Sequence, residues 1–455
     1  MSSPFFMKKK EKPKFAIKGK NTAVVKRKAD GDSGGKSKLR AKKPNSKHNE
    51  EISSDSETES PVVPRKRQSN EEVDYEETPQ EKKLRLAKLY LEQLKEEGKL
   101  QRLIAKDLMP PDASEIRVLR GHKLPITCLV ISSDDKFIFS AAKDCSIIKW
   151  DVVAGKKLHT IPGGRKGTED RHVGHTAHIL CMAISSDGKY LATGDVNKLI
   201  MIWEAETCKH LYKFTGHKGP VSGLSFRKGT HDLYSASHDR SIKVWNVDEN
   251  AYVETLFGHQ DAITGLDSLS RECCVTAGGR DRSVRVWKIA EESQLVFHGH
   301  EGSIDCIQLI NEEHMITGAD DGSVSLWSVN KKKPLCTVKQ AHGRHGDAGL
   351  EQPHWVASVA ALQNSDTVAS GSHNSQVQVW KCGQNYRGLQ PLFSVPVSGF
   401  INSLKFSSSG QFLVAGVGQE HRLGRWWRLK EAKNGIYVIP LKRKSPNPEE
   451  AKMTE

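Results

Sequence analysis

Apolar and polar positions fall into three regimes along the 455-residue chain. From Lys8 to Lys47 large apolar residues are sparse among lysine, glycine and serine, too few to bury the surface that would offset ordering, so the pattern predicts a disordered segment. Thr78, Pro79 and Glu81 then supply an N-cap, a first-turn proline and a capping-box partner. Leu84, Ala87, Leu91 and Leu94 follow at helical spacing, with Leu86, Leu89 and Tyr90 broadening the stripe. Gly98 weakens it, Leu100, Leu103, Ile104 and Leu108 resume it, and Pro110 and Pro111 end it, which predicts an amphipathic helix over 78–109. Beyond residue 112 the pattern repeats. Gly-His pairs end at His122, His175, His217, His259 and His300, with Ala-His at His342. Trp150, Trp203, Trp245 and Trp287 each follow their histidine by 28 residues and Trp327 by 27, while Trp380 and Trp427 close two looser units. The tryptophans are 53, 42, 42, 40, 53 and 47 residues apart, which brackets the 40–45 residues of a four-stranded propeller blade plus insertions. An all-β, seven-bladed propeller over 112–441 is predicted, preceded by a charged tail (1–77) and followed by a disordered C-terminal tail (442–455).

Composition fits that division. Apolar residues make up 36% of the chain, low for a globular domain, because the tail dilutes an ordinary core. Residues 1–47 carry sixteen Lys/Arg against three Asp/Glu, residues 48–80 three against ten, and of the net charge of +14 only about +4 belongs to 112–441. Lys26, Arg27 and Lys28 precede Lys42 and Lys43 by a spacer of bipartite length, a pattern suited to nuclear import or to sequence-independent phosphate contact. In EEISSDSETES, Ser54 and Ser56 each stand three residues before a glutamate, as acid-directed kinases require. No apolar run is long enough to span a membrane or to form a signal-peptide core, so a soluble intracellular chain is expected. The nine cysteines, odd in number and without a Cys-x-x-Cys, read as reduced core residues rather than disulfides or a zinc site.

Strings such as SASHDRSIKVW and TGADDGSVSLW, each after a Gly-His pair, resemble WD repeats over residues 115 to about 430. That resemblance implies that in each blade a turn aspartate, the Gly-His imidazole, a strand Ser/Thr and the tryptophan form a hydrogen-bonded tetrad. Carried over, blade one has His122, Ser140, Asp144 and Trp150, blade three His217, Ser235, Asp239 and Trp245, and blade five His300, Thr317, Asp321 and Trp327. Elsewhere the pattern degrades: Asn197 and Asn374 stand at the aspartate position of blades two and six, Ala277 at the Ser/Thr position of blade four, and blade seven lacks both histidine and aspartate. These four blades are expected to be held less tightly. Ring closure needs strands from both chain ends, and Ile116–Leu119 and Gly435–Leu441 are the candidates.

There is no His-Glu-x-x-His, Gly-x-Ser-x-Gly or Walker-type loop, and AHGRHG around His342 and His345 reads as a histidine-rich loop, so no enzyme, cofactor or metal site is expected. The charge pattern is more informative. On the face carrying the tetrads, the b–c turns and d–a connections bring Lys143, Arg240, Arg280, Arg282, Arg422, Arg425, Arg165 and Lys166, whereas the a–b turns of the opposite face sum to slightly acidic. A charge gathered on one side suits a phosphate-bearing partner. In blade seven Trp426 joins these cations, with part of its ring exposed for stacking, and Trp355 is a weaker candidate of the same sort.

Longer strings, among them QEKKLRLAKLYLEQL, SRECCVTAGGRD and VAGVGQEHRLGRWWR, resemble the WD-repeat proteins that accompany U3 small nucleolar RNA. The resemblance implies a nucleolar, non-enzymatic subunit of the U3 box C/D ribonucleoprotein. It would bind the box B/C region of U3 RNA beside the 15.5-kilodalton kink-turn protein and other core proteins, and act in the small-subunit processome towards 18S rRNA. A monomer within the complex is expected, since a closed ring has no free sheet edge. The alternative from another class is a nuclear protein scaffold or chromatin reader that uses the central channel.

Overall fold

The computed structural model describes residues 79–96, 102–165, 167–168, 172–346 and 350–444. Lys26, Arg27, Lys28, Lys42, Lys43, Ser54, Ser56 and Lys166 lie outside them. Seven four-stranded antiparallel sheets form the body, and in each the first strand contacts the first strand of its neighbours, which closes a ring. Blade one comprises Ile126–Ile131, Phe137–Ala142, Ile147–Asp151 and Lys157–Ile161, and the next five repeat that order.

Blade seven joins the two ends of the domain. Its strands Phe400–Phe406, Phe412–Gly418 and Gly435–Pro440 come from the C-terminal side, and Arg117–Leu119 pairs on the outside with Gly435–Pro440. Both candidate strands therefore belong to the same blade. Trp427 is not in a strand: residues 419–434 form a long insertion where the other blades have a short b–c turn.

Near the start of every innermost strand the register slips, placing a bulge at Ile126/Cys128, Ile179/Cys181, Val221/Gly223, Ile263/Gly265, Ile304/Cys306, Val356/Ser358 and Ile401/Ser403. A bulge re-aims the side chain beside it. At each of the seven junctions a side chain from this spot donates to the main-chain carbonyl that opens the next blade's inner strand. Thr127 donates to Ile179 (2.5 Å), Thr264 to Ile304 (2.6 Å) and Ser358 to Ile401 (2.8 Å). Ser222 donates to Ile263, and the thiols of Cys181 and Cys306 make longer contacts to Val221 and Val356. Asn402 completes the circle by donating to Ile126 (2.9 Å).

The helix is shorter than its pattern predicts. It runs Pro79–Glu96, and Leu84 (73% exposed), Leu86, Leu89 and Tyr90 face solvent. Ile104 and Leu108, which continue the helical stripe in sequence, leave it in space. Both are buried in the core beneath blades six and seven, on a segment whose Ile104 and Ala105 amides donate to the buried Asp366 carboxylate at 2.8 and 3.0 Å. A helix would have engaged those amides internally, so the buried carboxylate selects the non-helical path. Leu108–Met109 then pairs with Lys442–Arg443, which therefore belong to a strand and not to a tail. All nine cysteines are free thiols, seven of them buried, and burial pushes Cys128 and Cys382 up to about 12, as expected of inert core residues.

Asn402 also donates to the Glu420 carbonyl and accepts from the Arg422 amide, so it holds both the ring and the blade-seven insertion. Asn402→Ala is expected to cost about 2–4 kcal/mol by urea unfolding, with hydrogen exchange accelerating first in Arg117–Leu119 and 419–434. Uniform exchange across all blades would count against the junction.

Candidate nucleic-acid interface

Each tetrad ties the d–a connection of a blade to its b–c turn. In blade three, Asp239 approaches His217 Nδ1 at 3.1 Å, Nε2 lies 2.8 Å from Ser235 Oγ, and that oxygen accepts from Trp245 Nε1 at 2.8 Å. A carboxylate at Nδ1 accepts the ring proton, which leaves Nε2 to accept from the hydroxyl. The same aspartate accepts the Lys218 amide at 2.7 Å. Blade one differs in detail: His122 meets Ser140 at 2.8 Å and Trp150 bonds the same hydroxyl, but Ser146 stands between Nδ1 and Asp144. Blade five relays similarly, since His300 Nδ1 contacts Ser323 rather than Asp321, while Thr317 links His300 to Trp327.

Two blades expected to be weak have complete tetrads. In blade two Asp195, two residues before Asn197, supplies the carboxylate at 2.8 Å from His175, and Thr193 bridges to Trp203. In blade four the hydroxyl is that of Thr276, not Ala277. His259 lies 2.7 Å from both Thr276 and Asp281, and Trp287 donates to Thr276 at 2.8 Å. An extra turn residue makes this hydroxyl-to-tryptophan spacing eleven instead of ten, which displaces the motif by one. Blade six keeps three members, His342, Ser370 and Trp380, with Asn374 turned to the His342 carbonyl.

Burial opposes ionisation of Asp281, but hydrogen bonds from His259 and Ser283 outweigh it and hold the carboxyl at about 2. His300 has no direct carboxylate, and burial pushes it down to about 4.

The cations predicted for this face separate into two groups. Arg240, Arg280, Arg282, Arg425 and Arg165 are exposed. Lys198, Arg240 and Arg282 occupy the same turn position in blades two, three and four, each with positive φ (69°, 69° and 55°), a backbone conformation that costs a non-glycine residue about 1–2 kcal/mol. Blades one, five and six have Cys145, Gly322 and Ser375 there, also with positive φ. Lys143 is buried and Arg422 is half-buried. Lys143 is 4% exposed, pairs with the buried Glu420 at 3.3 Å and donates to the Gly424 carbonyl, and so anchors the 419–434 insertion. Burial lowers its pKa, against the pull of Glu420. Arg422 enters the channel mouth and donates to the carbonyls of Thr264 (3.3 Å) and Asp305 (2.7 Å) across the ring. Arg425, 68% exposed, rests its Nε on Glu420.

The insertion also assembles an aromatic patch. Trp426 is 62% exposed and its ring lies over Gly424, where a Cβ would overlap it. Its centroid is 6.4 Å from that of Trp355, which stands 6.4 Å from Trp427. Trp427, which sequence alternation places in the core, is half-buried against His345 and His373. The clustering of these three tryptophans is not visible in the chain, because two loops more than 70 residues apart supply them.

Six stretches, 113–151, 168–204, 208–246, 250–288, 291–328 and 350–381, match the model of the WD domain, G-beta repeat. The three C-terminal strands of blade seven, which has no tetrad, are outside these matches. The chain is 62% identical over 429 residues to the Mus musculus protein named U3 small nucleolar RNA-interacting protein 2, covering 88% of this chain and 90% of that one. It is similar at 28% identity, over 66% of each chain, to ribosomal RNA-processing protein 9 of Saccharomyces cerevisiae. A solved structure described as that of U3-55K matches with a TM-score of 0.71 at 69% identity, covering 73% of this chain and all of the other.

Thr276→Val is expected to cost about 2–3 kcal/mol by leaving His259 and Trp287 without a partner, whereas Ala277→Ser restores nothing. The thermal midpoint should fall as pH drops from 6.5 towards 4. His300 is depressed in the folded state, so its contribution is present above the unfolded value near 6.5 and is lost through 4; Asp281 adds a second loss between about 4 and 2. A midpoint constant from pH 7 to 4 would contradict this.

Proposed function

The chain belongs to the family of U3 small nucleolar RNA-interacting WD-repeat proteins, and on that membership we propose that its tetrad face grips the box B/C region of U3 RNA directly. Association with the U3 ribonucleoprotein and with ribosomal RNA processing follows from the family, and the role is that of a non-enzymatic binding subunit. In the proposal the 15.5-kilodalton kink-turn protein and other box C/D core proteins hold the same RNA. The assembly acts in the small-subunit processome of the nucleolus, on the way to 18S rRNA. The tail clusters at Lys26–Lys28 and Lys42–Lys43 serve nuclear entry, and Ser54 and Ser56 are phosphorylation sites.

The observation that carries this reading is the repeated cation at one turn position. Lys198, Arg240 and Arg282 stand on the same face at one equivalent place in three successive blades, where the backbone favours glycine. Cys145 and Ser375 take the same positive φ in blades one and six, so the conformation belongs to the turn; what sets blades two to four apart is that the residue there is cationic, an arc that phosphates spaced along a strand would engage. Trp426 and Trp355, on the same face, offer stacking surfaces for unpaired bases. The channel-reader alternative loses ground because Arg422 occupies the mouth, with its Nη2 held by main-chain carbonyls across the ring.

With the full chain and U3 box B/C RNA, Arg240→Glu, Arg280→Glu and Arg282→Glu together are expected to weaken binding and to flatten its salt dependence by about one for each phosphate no longer neutralised. Trp426→Ala is expected to cost about 1–3 kcal/mol with little change in that slope. Filter binding at several salt concentrations reads both. Unchanged affinity and slope in the triple variant would remove this face from consideration.

A further inference from the structure

Three imidazoles from separate stretches meet on the rim over blade six. His345 lies in a two-residue strand, Arg344–His345, paired with Gln352–Pro353 in the connection between blades five and six. His354 follows that hairpin, and His373 opens the b–c turn of blade six just after Thr367–Ser372. One nitrogen from each lies within 4.8 Å of the other two. His354 Nδ1 and His373 Nε2 are 3.0 Å apart, and the His345 ring centroid stands 4.6 and 5.1 Å from those of His354 and His373.

The histidine-rich AHGRHG string suggests His342 and His345 as a pair, but the fold uses them apart. His342 belongs to the blade-six tetrad, and His345 turns to partners nine and 28 residues further on. His373 is 4% exposed, and its Nδ1 and the buried Nδ1 of His345 have no hydrogen-bond partner. His345 and His354 are half-buried, the 3.0 Å contact is a hydrogen bond between His354 and His373, and imidazoles grouped this closely with further polar atoms left over are costly unless something binds them together.

We propose that His345, His354 and His373 form a binding site for a divalent transition-metal ion of the zinc class. Metal–nitrogen bonds of about 2.0–2.1 Å in a tetrahedral site put donor nitrogens roughly 3.3 Å apart, so the 3.0 Å pair is near that spacing, and an ion would replace its hydrogen bond while the third ring closes in from within 4.8 Å. An all-imidazole donor set selects Zn2+, Cu2+, Ni2+ or Co2+ over Mg2+ or Ca2+. Three protein donors leave a fourth position for water. The ion would fasten the paired Arg344–His345 and Gln352–Pro353 strands to the blade-six turn. Because His345 and His373 lie 4.9 and 4.8 Å from the Trp427 ring, it would also set the position of the aromatic patch. The site stands whether or not this face binds RNA.

The test uses the untagged full chain, stripped with chelator and titrated with Co2+ in a buffer without imidazole. One equivalent should bind with the intense visible absorption of a four- or five-coordinate site, quench tryptophan fluorescence, and be displaced by Zn2+. His345→Asn, His354→Asn and His373→Gln should each weaken binding by more than about tenfold, with folding checked by circular dichroism. The exposed His298→Ala should leave binding unchanged. Only weak, octahedral Co2+ spectra in the parent chain would overturn the proposal without reference to any variant, as would tight binding indifferent to all three ligand substitutions.

Discussion

A ring of sheets holds together only if each blade is fastened to the next, and here the apolar contacts between neighbouring blades are reinforced at every junction by a side-chain donor reaching a carbonyl at the start of the neighbouring inner strand. The bulge at the same register in all seven inner strands makes the reach possible by turning one polar residue sideways into the junction. Hydroxyls serve four junctions, thiols two, and the Asn402 amide the last. The last matters most because it spans the join between chain ends, where the outer strand Arg117–Leu119 is short and a slip would expose sheet edges.

On this ring the tetrads fix one face at the level of individual turns. An aspartate that accepts both an imidazole proton and a main-chain amide pins the d–a connection to the b–c turn. With the turn held at both sides, its apex tolerates a positive φ on lysine or arginine in blades two to four, and the cation projects from a rigid base. Blade seven omits the tetrad and obtains order by other means. Asn402 and the buried Lys143–Glu420 pair hold the 419–434 insertion, which raises Trp426 beside Trp355 and places Arg422 in the channel mouth. Structural and exposed cations thus alternate within a few residues of sequence, and only burial separates their roles.

The repeat period and the tetrad residues of blades one, three and five are legible in the chain, because each depends on residue types at fixed spacing. What sequence reading misses has a common physical cause: a partner supplied from an unexpected place. Asp195 replaces Asn197 because a carboxylate two residues upstream can still reach His175. Thr276 is overlooked because one extra turn residue shifts the register. Trp427 stands near the expected spacing and reads as the blade-seven strand residue, although Gly435–Pro440 fills that place. Ile104 and Leu108 keep helical spacing while leaving the helix for Asp366. Lys143 is indistinguishable from a rim cation until its partner, 277 residues away, is seen.

Whether one face of the propeller carries the nucleic acid is read most directly by ultraviolet crosslinking of the full chain to U3 box B/C RNA, with crosslinked peptides mapped by mass spectrometry. Adducts are expected in the b–c turns of blades two to four and at Trp355 or Trp426, with none in the a–b turns. Adducts confined to the a–b face, or to the helix Pro79–Glu96, would be incompatible with binding through the tetrad face.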